Sequence, residues 1–192
     1  MHILNLIASS AATGSQTTPA LPGSIVAWIV CNARKRNPIG GWLLFFYWQL
    51  YGGLLMAAVF FTINIQSYVP ENFDSHTRFA MFLLSAVPGL LLLSIQAVVA
   101  TIALGVQTRD MLALLRGVLV AETIAACVAL VIDITYFPDN AVFSILTLIQ
   151  SSLWLAYMLK SARVRHVFSQ GDWEVAVSTI YPLKGIKLKT ST

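Results

Sequence analysis

Four apolar runs, 42–65, 79–105, 111–136 and 141–160, fill most of this chain. Apart from Lys160 at the edge of the fourth, only the third carries charge. A bilayer's hydrocarbon core is about 30 Å thick and needs roughly 20 apolar residues to cross it. At about 1.5 Å per residue the first run reaches about 36 Å. Backbone amides in lipid must be bonded within the segment, so each run is predicted to be a helix. Composition agrees: the chain is 57% hydrophobic and 10% charged, against roughly 25% charged in soluble domains. The expected fold is all-α, a polytopic membrane protein built as a four-transmembrane-helix bundle.

The runs divide the chain into three parts. Residues 1–38 form an N-terminal segment with no Lys or Arg before Arg34, so no basic region precedes its short apolar start as a cleaved signal would require. Its beginning reads as disordered or loosely surface-attached. The stretch 24–30, with Trp28, is too short to span and suits a short interfacial helix. Residues 39–168 hold the membrane domain. Phe45, Phe46, Tyr47, Trp48 and Tyr51 place an aromatic belt in the first half of the first span. Pro88-Gly89 predicts a bend in the second. Pro138-Asp139-Asn140 predicts a tight hairpin between the third and fourth. Residues 169–192 form a basic tail with Lys184, Lys187 and Lys189, after a stretch from Asp172 to Tyr181 with strand-like alternation.

Four spans put both termini on one side. Of twelve Lys and Arg residues, only Arg78 falls on the other. The excess of positive charge in cytoplasmic segments therefore predicts cytoplasmic termini. The same flanks explain the net charge of +4, and nucleic acid is not an expected partner. The expected partners are the lipid bilayer and other membrane-protein subunits.

Two flanks share a pattern with a known family. Gly40-Gly41-Trp42-Leu43 opens the first span. Trp154, Tyr157, Ser161, Arg163, Val164 and Phe168 follow at fixed spacings through the exit of the fourth. Together they resemble the bacterial membrane family catalogued as domain of unknown function 2569, with Val167 where that pattern has threonine. The resemblance covers about 39–168. It implies a four-span protein of a bacterial inner membrane and transfers no activity.

The third span, in MLALLRGVLVAETIAACVALVIDITY, holds the intramembrane charges Arg116, Glu122 and Asp133. A charge at mid-span costs about 2.5–3.5 kcal/mol on insertion scales, so Glu122 should face protein, with Gln49, Gln96 and Gln150 as candidate partners. Eleven residues at 100° each return within about 20° of the same face, so Glu122 and Asp133 share one stripe. Arg116 is expected to snorkel to the near surface, and Asp133 to sit at the outer interface. Gly117, Ala121, Ala125 and Ala129 suggest a small-residue packing seam, and Gly52-Gly53 a second close approach. Cys127 reads as a small buried apolar residue, Cys31 lies before the first span, and no disulfide joins them.

His2, His76 and His166 are scattered, and no catalytic or nucleotide-binding motif occurs. No enzyme activity, metal or cofactor is expected. The expected function is that of a structural or accessory subunit in a larger membrane assembly. A small proton-coupled carrier working through Glu122 is the alternative.

Overall fold

The computed structural model describes residues 21–63 and 68–170, with Asp172 and Ser178. The expectations for 1–20 and for the lysine tail lie outside these residues, as does all of the strand-like stretch except Asp172 and Ser178. No strand occurs among the described residues, and the fold is all-α. The helices are α1 (Leu21–Ala33), α2 (Trp42–Ile63), α3 (His76–Gly105), α4 (Arg109–Tyr136), α5 (Ala141–Lys160) and α6 (Ala162–Arg165). One turn of wider π geometry, His166–Gln170, continues α6. Helices α2 to α5 are long and apolar enough to cross a membrane, and the chain is a multi-pass membrane protein.

The helix ends follow local chemistry. Ser75 and Thr108 accept from Arg78 N and Met111 N as N-caps of α3 and α4. The Ser75 cap starts α3 at His76, three residues earlier than the apolar run. Pro138–Asn140 form the expected tight turn, where Asn140 N bonds Phe137 O at 2.8 Å. Pro88 lies inside α3, which continues past it.

Antiparallel neighbours put the start of α2, the end of α3, the start of α4 and the end of α5 at one end of the bundle. Here α6 adds Val164, and Val167 and Phe168 follow, all deeply buried with Leu43, Phe46, Leu50, Leu112, Leu115 and Met158. This large core belongs to that end alone. At the opposite end a small aromatic cluster gathers Phe82 with Tyr68, Phe73 and Phe137. Arg78 stays there, bonded to Asp74 at 2.6 Å and to Tyr136 O at 3.3 Å, over the Phe137 ring. Helices α3, α4 and α5 form the main packed unit, and α2 rests chiefly on α3. Tyr47 Oη donates to Ala100 O at 3.3 Å, and the hydroxyls of Tyr51 and Thr101 share a bond of 2.8 Å.

Helix α1 extends the short helix expected at 24–30. Its Ala27 and Cys31 are buried while Trp28 is exposed. The cysteines are both free; Cys31 is buried, and Cys127, expected to be buried, is exposed. Cys127 is five residues past Glu122, about 140° around the helix at 100° per residue, and so faces away from the bundle. Burial pushes the Cys31 thiol up, against a smaller downward pull from Arg34.

Candidate functional site

A polar layer lies between the two apolar clusters. Glu122 of α4 is 7% exposed and Asp133 only 1%. Their shared stripe faces α3 and α5, as the helical repeat predicts. Asp133 Oδ1 accepts from Ser85 Oγ at 2.9 Å, and Oδ2 accepts from Ser144 Oγ. One carboxyl group thus joins three helices. This corrects the expectation of an interfacial Asp133. Its position near the end of α4 suggested an exposed residue, but α3 runs beyond it and the Pro138 turn folds α5 back over it.

Glu122 lines a cavity of about 10 Å³ with Ser85, Gly89, Ala125, Ala126, Ala129, Ser144 and Thr147. A cavity of roughly 10–15 Å³ holds one water. Glu122 and the Asp133–serine cluster therefore border one small space, since Ser85 and Ser144 belong to both. Thr147 is bonded to its own helix at Phe143 O, 3.0 Å.

Arg116 also departs from expectation. Instead of extending to the surface it is half-buried, and its Nε and Nη2 donate to Met158 O at 3.0 and 2.7 Å. The last carbonyls of a helix lack intrahelical donors and carry partial negative charge. A guanidinium from α4 meets both needs at the end of α5.

The seam of small residues spirals. A four-residue repeat advances about 40° per step, so it turns about 120° over three steps. Ala129 is accordingly buried beside the cavity, Ala121 and Ala125 are half-buried, and Gly117 is exposed with open space where a Cβ would stand. In α2, Gly53 is buried while Gly52 has nothing near it.

The expected glutamines occupy two places. Gln96 is buried in α3, and its Oε1 has no hydrogen-bond partner among the described residues. Gln49 and Gln150 face each other between α2 and α5. There Gln49 Oε1 accepts from Trp154 Nε1 at 3.0 Å and from Gln150 Nε2 at 3.5 Å.

The two flanks that carry the family-like pattern meet. Residues 34–41 form a compact turn in which Asn37 N bonds Arg34 O at 3.1 Å and Gly41 N bonds Cys31 O at 2.8 Å. Arg163 lies against it. Its Nη1 donates to Asn37 O at 2.9 Å and Pro38 O at 3.5 Å, and Nη2 donates to Lys35 O. Gly41 has φ +57° and its absent Cβ would lie 3.6 Å from Arg163 Nη2. Ser161 Oγ accepts from Val164 N and sets the short α6 that presents the arginine. Both flanks were visible in the sequence; their contact was not.

Among the described residues no group of three His, Cys, Asp or Glu side chains could hold a metal ion. No protein-family model, curated protein or solved structure matches this chain.

Proposed function

We propose that this chain is a multi-pass protein of a bacterial inner membrane, with both termini cytoplasmic, acting as a structural or accessory subunit of a larger membrane assembly. The polar layer around Asp133 carries this reading. Asp133 fastens α3, α4 and α5 through two serines, and the space beside Glu122 has room for about one water and not for a solute. Asp133 lies where it holds three helices together, and Glu122 lines the small space beside its serines. The bacterial inner membrane is supported by the resemblance to the uncharacterised family. Orientation is supported by charge: the antiparallel order gathers Arg34, Lys35, Arg36, Arg109, Lys160, Arg163 and Arg165 at one end and leaves Arg78 at the other.

Purification from native membranes in mild detergent is expected to recover a stoichiometric membrane-protein partner. A lone monomer in several detergents, with ion or proton flux in vesicles that Glu122→Gln abolishes, would replace the accessory role by a carrier. For orientation, cysteines placed at the exposed positions His76 and Lys160 should differ in intact cells. An impermeant maleimide is expected to label the first and spare the second, and the opposite pattern reverses the topology.

A further inference from the structure

Between α2 and α5 lies a groove of about 460 Å³, with Trp42 and Tyr157 among its lining residues nearest the bundle end. Small-molecule sites enclose about 300–1,000 Å³, mostly apolar, with a few placed polar groups. This groove has that make-up. Aromatic rings form one wall: Trp154 lies 6.3 Å from Trp42, 6.1 Å from Phe45 and 5.9 Å from Tyr157, centroid to centroid. Leu146, Ile149 and Leu153 of α5 line the groove further along, together with Gln49 and Gln150.

The amide of Gln49 has a defined direction. An indole N–H only donates, so the atom 3.0 Å from Trp154 Nε1 must be the Gln49 oxygen. Gln150 Nε2 approaches that same oxygen. The Gln49 nitrogen then lies on the other side of the amide, with two N–H groups and no acceptor among the described residues. Depth narrows what could accept from it. Gln49 is seven residues beyond Trp42, and Gln150 seven before Tyr157. Both amides thus lie about 10 Å further into the membrane than the aromatic rim, at about 1.5 Å per residue. Aromatic rims mark the level of lipid head groups. A phospholipid occupying the groove would offer only methylenes at the depth of Gln49, and an unmet donor in hydrocarbon is costly.

We propose that this groove binds a membrane-dissolved lipid whose head is a flat, carbonyl-bearing ring. The ring packs among the mutually tilted rings of Trp42, Phe45 and Trp154, and a ring carbonyl accepts from Gln49 Nε2. Its apolar tail runs along Leu146 and Ile149. The proposal goes beyond the accessory role and is independent of it, since it needs no protein partner.

Full-length protein in phosphatidylcholine nanodiscs, titrated with radiolabelled decylbenzoquinone by equilibrium dialysis, tests this. We expect saturable binding of one probe per chain above empty nanodiscs, not displaced by excess decylbenzene. Gln49→Leu should weaken it roughly five- to tenfold, the worth of one neutral hydrogen bond. Ile149→Trp, at a position exposed on the groove wall, should abolish it without disturbing the core. Linear uptake matching empty nanodiscs would overturn the proposal. So would displacement by decylbenzene, which would reveal a slot for acyl chains only, or unchanged affinity in a folded Gln49→Leu variant. If Gln49→Leu fails to fold, Ile149→Trp decides, and retained binding there rejects the site.

Discussion

Gly40→Ala should destabilise the membrane domain by about 3 kcal/mol or more, placing it among the larger single-residue effects. The added Cβ would stand 1.9 Å from Arg34 O and 2.9 Å from Arg34 C. Both are backbone atoms, so no side-chain rotation relieves the clash. The 34–41 turn must open, and the Lys35, Asn37 and Pro38 carbonyls then leave Arg163. Hydrogen bonds to charged groups contribute about 1.5–3 kcal/mol each in mutational series, with less expected here because the site faces water. Gly41→Ala meets no such clash and suffers only from its left-handed φ, at about 1 kcal/mol. Arg163→Lys keeps the charge but loses the planar fork that reaches several carbonyls at once. Thermal unfolding in detergent should rank Gly40→Ala as most damaging, Arg163→Lys next and Gly41→Ala least. A Gly40→Ala protein melting with the wild type would show that the turn is not built this way.

Asp133→Ala should be the second severe change, at about 2–4 kcal/mol. It removes the acceptor of two buried hydroxyls, and a stranded buried polar group costs about 1–3 kcal/mol. Part of that is recovered if Ser85 and Ser144 turn back to carbonyls of their own helices. Asp133→Asn keeps one acceptor oxygen and presents an N–H₂ group to a serine, so an intermediate loss of about 1–2 kcal/mol is expected. Replacing both serines by Ala along with Asp133 should cost less than the separate losses added together, because no orphaned donor remains. Unfolding monitored by circular dichroism in a denaturing-detergent titration gives these differences. Additive losses would mean that Asp133 does not act through the two serines.

The spans were legible because length and lack of charge are properties of a run, and lipid leaves a helix as the only local solution. Facing was legible too wherever the helical repeat was followed: it placed Glu122 and Asp133 on one inward stripe. The same arithmetic would have turned Cys127 outward and Gly117 away from Ala129. The role of Asp133 was hidden for another reason. Serines in membrane helices mostly bond their own backbone, and nothing local in the sequence links Ser85 and Ser144 to one acid. Arg116 was misread because a long cation near a helix end has two outlets, the surface or a neighbouring helix end, and only packing decides between them.

The contact between Arg163 and residues 35–38 has a consequence for biogenesis. The turn that receives the arginine is synthesised before α2, and its donor arrives only after α5. Until then the carbonyls of Lys35, Asn37 and Pro38 must be satisfied by water or head groups. The two pieces can meet only if an even number of spans has crossed between them. A chain with one span skipped would leave them separated by about 30 Å of hydrocarbon. Closure of this contact is therefore a late event that separates chains with an even number of crossed spans from those with one span skipped.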